Sequence, residues 1–156
     1  MAEAGFWGKL PGCGDFVTRG LPETFRARWD AWASRHLAGC APWPEGGLRL
    51  RIAGPGRVAA GLVLPSCDRS GRRFPLALFL LAEALPDPPG LEPWCDAALP
   101  LAAAGTPEAL WQALADLPAP AGDAGQDLPL LLWRRGGAAL RADPDDPGPA
   151  LAQIFS

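Results

Sequence analysis

The sequence predicts an α+β fold, in which an antiparallel sheet of about five strands is covered on one or both faces by helices. Along the chain the predicted elements follow the order strand, strand, helix, three strands, helices. The segment Leu48–Ile52 alternates strictly between apolar residues and arginine, which is typical of a strand with one wet face. A turn at Gly54-Pro55-Gly56 joins it to the next apolar segment and predicts a β-hairpin.

The first two predicted strands frame a glycine-flanked loop. The segment Gly5–Leu10 ends at a proline, the loop Gly12-Cys13-Gly14-Asp15 follows, and Phe16–Thr18 is the second extended segment. The loop lacks the further glycine of a dinucleotide fingerprint and the Gly-Lys-Ser/Thr of a P-loop. We therefore interpret both glycines as turn residues with positive φ, and Asp15 as a side chain that caps the turn.

A helix with an apolar stripe is predicted to follow these strands. Pro22 suits its first position and Gly39 its C-terminal stop. Its large apolar residues recur at helical spacing: Phe25, Trp29, Trp32, His36 and Leu37. We interpret Trp29 and Trp32 as core residues, and a groove for a partner is the alternative.

The remaining elements complete the sheet and its cover. Val58–Leu64 is almost wholly apolar and predicts a buried strand. Further on, Pro129 suggests that the last strand lies at an edge of the sheet. The other predicted elements are a central strand Phe74–Glu83, a helix Leu91–Ala104, a helix that starts at Thr106-Pro107-Glu108, the last strand Leu128–Trp133 and a short final helix Ala150–Phe155.

Length and composition are typical of one soluble globular domain that spans residues 1–156. The net charge of −3 provides no electrostatic footprint for nucleic acid or for an anionic membrane. No signal peptide is visible, and the apolar stretch Leu76–Ala82 is too short to cross a bilayer. We therefore expect a cytoplasmic protein that neither binds nucleic acid nor inserts into a membrane.

The four cysteines indicate neither a metal site nor a redox motif. Cys13, Cys40, Cys67 and Cys95 lie far apart and form no C-x-x-C pair. In a reducing cytosol we expect four free thiols. We expect no cofactor and no metal.

A second polar loop, after the strand Val58–Leu64, leaves three roles open. Its hydroxyl, carboxylate and guanidinium groups come from Ser66, Asp68, Arg69 and Arg72. As an enzyme site, Asp68 would form a carboxylate pair with Asp15. As a binding site, the arginines would hold an acidic partner side chain through bidentate contacts. As a structural loop, Asp68 would accept backbone N–H bonds, and Arg72 would pair with Asp15 or Asp68.

The only histidine, His36, lies on the apolar stripe of the first helix, where a core role is expected. No Ser-His-Asp or Cys-His pair can form without it. The sequence therefore provides no positive case for an enzyme. A small hydrolase or nucleotide-binding enzyme that uses Asp15 and Asp68 is the alternative.

Two blocks of the sequence resemble the signatures of the TagF (ImpM) family, which accompanies bacterial type VI secretion systems. The first contains Gly8-Lys9-Leu10-Pro11, Gly14-Asp15-Phe16-Val17, Leu21-Pro22, Phe25, Trp29-Asp30 and Trp32. The second is the run Pro65-Ser66-Cys67-Asp68-Arg69-Ser70-Gly71-Arg72-Arg73-Phe74-Pro75-Leu76.

The resemblance implies a longin-like fold and a cytosolic protein that negatively regulates type VI secretion assembly. Such a protein acts by binding a component of the system, in some members the FHA-domain scaffold protein, and catalyses no reaction. The candidate residues for partner binding or for structural support of the signature are Lys9, Gly14, Asp15, Phe16, Ser66, Asp68, Arg69, Gly71, Arg72 and Phe74.

The arrangement of the two signature loops can also be predicted. If the strands that start at Gly5 and Val58 run side by side, the loops that follow them meet at one end of the sheet. Asp15 and Arg72 would then form a charge-assisted hydrogen bond. Arg69 or Arg73 would remain at the surface for an acidic partner.

Overall fold

The computed structural model describes residues 2–124 and 129–156, and in this part of the chain one antiparallel sheet carries helices on both faces. The strands are β1 (Glu3–Gly8), β2 (Val17–Arg19), β3 (Leu48–Gly54), β4 (Arg57–Leu64), β5 (Leu76–Ala82), β6 (Leu130–Arg134) and β7 (Leu140–Arg141). The helices are α1 (Glu23–His36), α2 (Pro88–Ala98), α3 (Pro107–Ala115) and α4 (Gly148–Ile154), and a 3-10 turn, Leu99–Ala103, follows α2.

The sheet has the strand order β2-β1-β5-β4-β3-β6-β7, and every neighbouring pair is antiparallel. The α+β class is confirmed, but the described residues form seven strands where about five were predicted. The strand β7 was not predicted, because two residues are too few to show a period. It pairs with β6, so the prediction that β6 lies at an edge is wrong.

The two strands that precede the signature loops were predicted to run side by side, but they are not neighbours. β5 lies between β1 and β4 and is antiparallel to both. β1 and β4 therefore run in the same direction, and the loops that follow them leave the sheet at the same end. The apolar residues of β5 are buried along its whole length, as expected for an inner strand.

The helices α1 and α4 cover one face of the sheet. Trp29, Ala33 and Leu37 pack in one buried cluster with Leu151 and Ile154. Trp29 is buried as predicted, whereas Trp32 is half-buried and stacks on it with ring centroids 5.4 Å apart. The helix begins after Pro22, which occupies the cap position, and ends at His36, three positions before the glycine that was predicted to stop it.

The helices α2 and α3 cover the other face, so the wet face predicted for β3 does not exist. Arg49 and Arg51 are both buried. Arg49 donates hydrogen bonds of 2.6 Å and 2.8 Å to Glu92 and Asp96 of α2. Arg51 donates to the backbone carbonyls of Leu85 and Pro86. The charges are buried because α2 supplies the partners of Arg49 and the segment before α2 supplies those of Arg51.

The boundaries of the later elements follow local signals closely. Thr106 caps α3 through a hydrogen bond of 3.1 Å from the backbone N–H of Ala109, as its sequence predicts. The helix α2 begins three positions before the predicted Leu91, at a cap supplied by Asp87. Leu128, the first residue predicted for the last strand, lies outside the described residues.

Within the described ranges, no helix has the length and apolar content needed to cross a membrane.

Candidate functional site

The two signature loops meet at one end of the sheet and form what we call the signature cluster: Lys9, Ser66, Asp68, Ser70 and Arg72. Lys9 directly follows β1 and is buried against the loop that follows β4. Asp68 is the centre of the cluster, and its side chain has no exposed surface.

Both carboxylate oxygens of Asp68 are engaged. Oδ2 accepts hydrogen bonds from Nζ of Lys9 at 2.9 Å and from Nε of Arg72 at 2.8 Å. Oδ1 accepts from the backbone N–H groups of Ser70 and Arg72 at 3.0 Å and 2.9 Å, and from the Ser70 hydroxyl at 2.9 Å. The carboxylate therefore holds its own loop closed and ties it to the end of β1.

The hydrogen bond from Lys9 holds the pKa of Asp68 well below its ordinary value, and the backbone N–H of Arg72, the hydroxyl of Ser70 and the charge of Arg72 act in the same direction. These effects outweigh the burial of the carboxylate, which alone would raise its pKa. A buried, fully hydrogen-bonded carboxylate with a lowered pKa is a poor general base.

Further hydrogen bonds join the two loops. The hydroxyl of Ser66 donates a hydrogen bond of 2.6 Å to the carbonyl oxygen of Lys9. Arg72 Nη2 donates to the carbonyl oxygen of Gly14 at 3.0 Å, and the backbone N–H of Arg69 donates to that of Cys13 at 2.7 Å. The loops are therefore fixed to each other by backbone and side-chain groups together.

The predicted hydrogen bond between Asp15 and Arg72 is not formed. Arg72 pairs with Asp68, the other carboxylate considered for it, and reaches only the backbone of the first loop. Asp15 is exposed, and its Oδ1 accepts the backbone N–H of Phe16 at 2.8 Å. This carboxylate therefore holds the backbone of the next residue and does not join the loops.

An aromatic layer lies beside the charged centre. Phe16 stacks on Trp7 with ring centroids 4.8 Å apart and meets Phe74 edge-on at 5.0 Å. Nζ of Lys9 lies 4.9 Å from the centroid of the Phe16 ring, which adds a cation–π contact. Phe74 is buried, whereas Phe16 keeps 37% of its surface exposed. The ring of Phe16 in this aromatic layer is therefore available at the surface.

The glycines of the signatures have different physical roles. Gly71 has φ of +85°, which favours glycine in the turn that Asp68 closes. The prediction of positive φ at Gly12 and Gly14 is wrong. At Gly14 the limit is space, since a Cβ atom would lie 3.3 Å from the Arg69 guanidinium. At Gly8, φ is +149° and a Cβ atom would lie 2.4 Å from the carbonyl oxygen of Pro75.

The outer surface of the second loop is basic. Arg69 and Arg73 are exposed and form no ion pair within the described ranges. The side chain of Arg72 is also largely exposed, although it is held by Asp68. Three guanidinium groups therefore surround a rigid, buried centre.

The sequence did not reveal the Lys9–Asp68 pair or the pair of Arg49 with α2. The only signal for the first was that Lys9 is the single lysine of the chain and stands in a signature block.

His36 is half-buried, with its ring 5.2 Å from that of Trp32. Among the described residues, no group of three or more His, Cys, Asp or Glu side chains could hold a metal ion.

Comparisons with known proteins bear on the signature loops directly. Residues 5–51 match the family model of the TagF N-terminal domain, described as type VI secretion system-associated. No curated protein matches the sequence. Among solved structures, the chain resembles the crystal structure of PA0076 from Pseudomonas aeruginosa PAO1, with 28% identity and a TM-score of 0.72. That similarity covers 98% of this chain and 94% of the other.

The matched segment contains the first signature block, with the buried Lys9 and the loop to which Arg72 is bound. The similarity to PA0076 extends over nearly the whole sheet and its helices. The match of residues 5–51 to the TagF N-terminal domain, a family model described as type VI secretion system-associated, confirms the resemblance to the TagF family.

Proposed function

We propose that this chain is a cytosolic protein that negatively regulates type VI secretion assembly by binding a component of the system, such as the FHA-domain scaffold protein. The match to the TagF N-terminal domain carries this proposal. The structure supports it with a signature whose buried half is structural and whose exposed half is basic and aromatic.

The surface of the second signature loop suits an acidic partner. Arg69 and Arg73 are exposed without an ion pair in the described ranges, and a guanidinium group binds a carboxylate through two parallel hydrogen bonds. The exposed ring of Phe16 offers an apolar contact from the first loop. Because the signature cluster fixes both loops, little conformational entropy is lost when a partner binds.

The geometry does not favour the enzyme that would use Asp15 and Asp68. Asp68 is inaccessible and accepts five hydrogen bonds, while Asp15 is exposed and accepts one from the backbone N–H of Phe16. The two carboxylates have no hydrogen bond or ion pair in common in the described part of the chain. Nothing in this arrangement activates a nucleophile or shares a proton between two acids.

The test combines deletion, complementation and pull-down in the native host. Deletion of the chain should increase the number of assembled type VI sheaths, and the wild-type chain should restore the lower number. The double variant R69A/R73A should fold but restore regulation poorly and capture less of the secretion component. The matched control is Arg141→Ala, an exposed arginine on β7 at the other edge of the sheet, which should behave as wild type.

The proposal is wrong if deletion leaves type VI activity unchanged under every condition in which the system is expressed. The assigned surface is wrong if R69A/R73A regulates and captures as well as Arg141→Ala does.

A further inference from the structure

A cavity of about 490 Å³ lies on the α1 face of the sheet, away from the signature cluster. Its volume is in the range of small-molecule sites, roughly 300–1,000 Å³. No residue of the signature cluster lines it. Apolar side chains from the helix and from the sheet form its walls: Phe25, Trp29, Trp32, Ile52, Leu81 and Leu130.

The walls of this cavity are fixed by the fold. Trp32 donates a hydrogen bond of 2.8 Å from its indole N–H to the carbonyl oxygen of Pro144, so the loop before α4 is tied to α1. The hairpin turn between β3 and β4 contributes Gly54 and Pro55. The backbone N–H of Asp145 is held by the carboxylate of Asp143 at 2.9 Å. The cavity is therefore formed without a ligand.

Its charged lining residues carry a net positive charge. Arg28 of α1 and Arg57 of β4 line the cavity and are exposed, and neither forms an ion pair in the described part of the chain. Asp145 is the one acidic residue in the lining. Two guanidinium groups against one carboxylate favour an anion, although the chain as a whole carries a net charge of −3.

One polar group of the wall has no partner. The indole N–H of Trp29 is buried and donates no hydrogen bond within the described ranges. Buried donors in folded proteins nearly always have an acceptor, so this N–H is an exception in the core. It has no accessible surface, so it offers no hydrogen bond to a ligand in the cavity that Trp29 and Trp32 line.

We propose that this cavity binds a small amphipathic carboxylate, with its apolar body between α1 and the sheet and its carboxylate on Arg28 and Arg57. The apolar walls select the body of the ligand, and the two guanidinium groups select the charge of its head group. This site is independent of the surface proposed for the secretion component.

Decanoate, decanol and decylammonium are suitable probes, because they share a chain and differ in the charge of the head group. Titrations of the full chain below the micellar concentration, followed by calorimetry and by tryptophan fluorescence, should show that decanoate binds most tightly. Decanol should bind at least about tenfold more weakly, which corresponds to the loss of the charge-assisted hydrogen bonds. Decylammonium should bind more weakly still.

Two variants test the charged residues and the apolar wall of the cavity separately. R28Q/R57Q changes only exposed side chains and should remove the preference for decanoate over decanol. Ala59→Leu places a larger side chain in the cavity wall and should weaken both ligands. Arg134→Gln is the matched control, because this exposed arginine lies at the opposite end of β6 from Leu130 and does not line the cavity.

Two results would overturn the proposal. One is equal affinity for decanoate, decanol and decylammonium, which would indicate non-specific apolar binding. The other is a decanoate affinity that R28Q/R57Q leaves at the value of Arg134→Gln. Because R28Q/R57Q changes surface residues, the test remains decisive if Ala59→Leu does not fold.

Discussion

Nζ of Lys9 donates a hydrogen bond of 2.9 Å to Oδ2 of Asp68 across 59 positions of sequence, and both side chains are buried. Removal of one member of a buried ion pair leaves an uncompensated charge, which is more costly than the loss of an exposed pair. The pair is therefore expected to act as a structural joint between the two signature loops, and substitutions in it should affect stability first.

Asp68→Asn should lower the melting temperature by several degrees, because an amide cannot replace the five hydrogen bonds and the charge of the carboxylate. Asp15→Asn is the control, since this exposed side chain accepts a single backbone N–H. Thermal unfolding followed by circular dichroism checks both. Equal melting temperatures for the two variants would contradict a structural role for Asp68.

The same variant should change the response of stability to pH. Because the folded state holds the pKa of Asp68 below its ordinary value, its contribution is fully present above the unfolded pKa of about 4. It is lost as the pH falls through the lower folded pKa. The difference in free energy of unfolding between wild type and Asp68→Asn should be constant from about pH 5 to pH 7 and shrink below about pH 4. Denaturant titrations across this range measure it, and a difference that grows on acidification would refute the assignment.

Gly8→Ala should destabilise the protein by about 1–3 kcal/mol or more, because φ at this position is +149° and a Cβ atom would meet the backbone of the loop before β5. Gly105→Ala is the control, since a Cβ atom there has nothing within 4 Å and φ is not positive. That change should stay within about ±0.5 kcal/mol. Urea titrations compare the two, and a stable Gly8→Ala variant would show that the strand end adapts.

Trp29→Ala should cost about 3–5 kcal/mol, the usual range for truncation of a buried large aromatic side chain. The ring is buried and meets Phe79 edge-on at 4.9 Å. Trp111, with 42% of its surface exposed on α3, is the matched control, and Trp111→Ala should cost clearly less. If Trp29→Ala kept the wild-type melting temperature and lost partner binding, the apolar stripe would be a docking surface instead of core.

All four cysteines are free thiols, and they should differ in reactivity. Burial raises the pKa of the Cys95 thiol to about 12, so this side chain should be alkylated last in the native protein. Cys13, Cys40 and Cys67 are only half-buried and should react earlier. Mass spectrometry should show four modified cysteines after denaturation without reductant. A native disulfide, or early modification of Cys95, would contradict this prediction.

The parts of the fold that are determined by residues close together in the chain could be predicted from the sequence. The Thr106 cap of α3 and the hairpin of β3 and β4 are set by residues within a few positions of each other. The wet face predicted for β3 failed because the partners of Arg49 come from α2, 43 and 47 positions later. Alternation shows that two faces differ, but not that a helix with acidic side chains will cover the polar one.

The candidate site could be predicted in position but not in pairing. The loops were expected at one end of the sheet, and they are there, although β5 separates the two strands that lead to them. The carboxylate that pairs with Arg72 could not be identified, because the choice between Asp15 and Asp68 depends on angles between loops that no local pattern encodes. Burial determines the pairing, since the carboxylate without access to solvent needs the most hydrogen-bond donors.

The strand order has a consequence for the exchange of segments between relatives. Residues 5–51 match the TagF N-terminal domain, yet β1 pairs with β5, and β3 lies between β4 and β6. The strands β4, β5 and β6 all lie beyond residue 51. A peptide of the matched residues alone would leave β3 without any of its pairing strands and Lys9 without its carboxylate. A chimera that swaps only this segment joins one protein's lysine to another protein's aspartate loop. Such chimeras should fold only where the two parents place that aspartate loop in the same way, so the stretch that matches the family model is shorter than the stretch that must be inherited together.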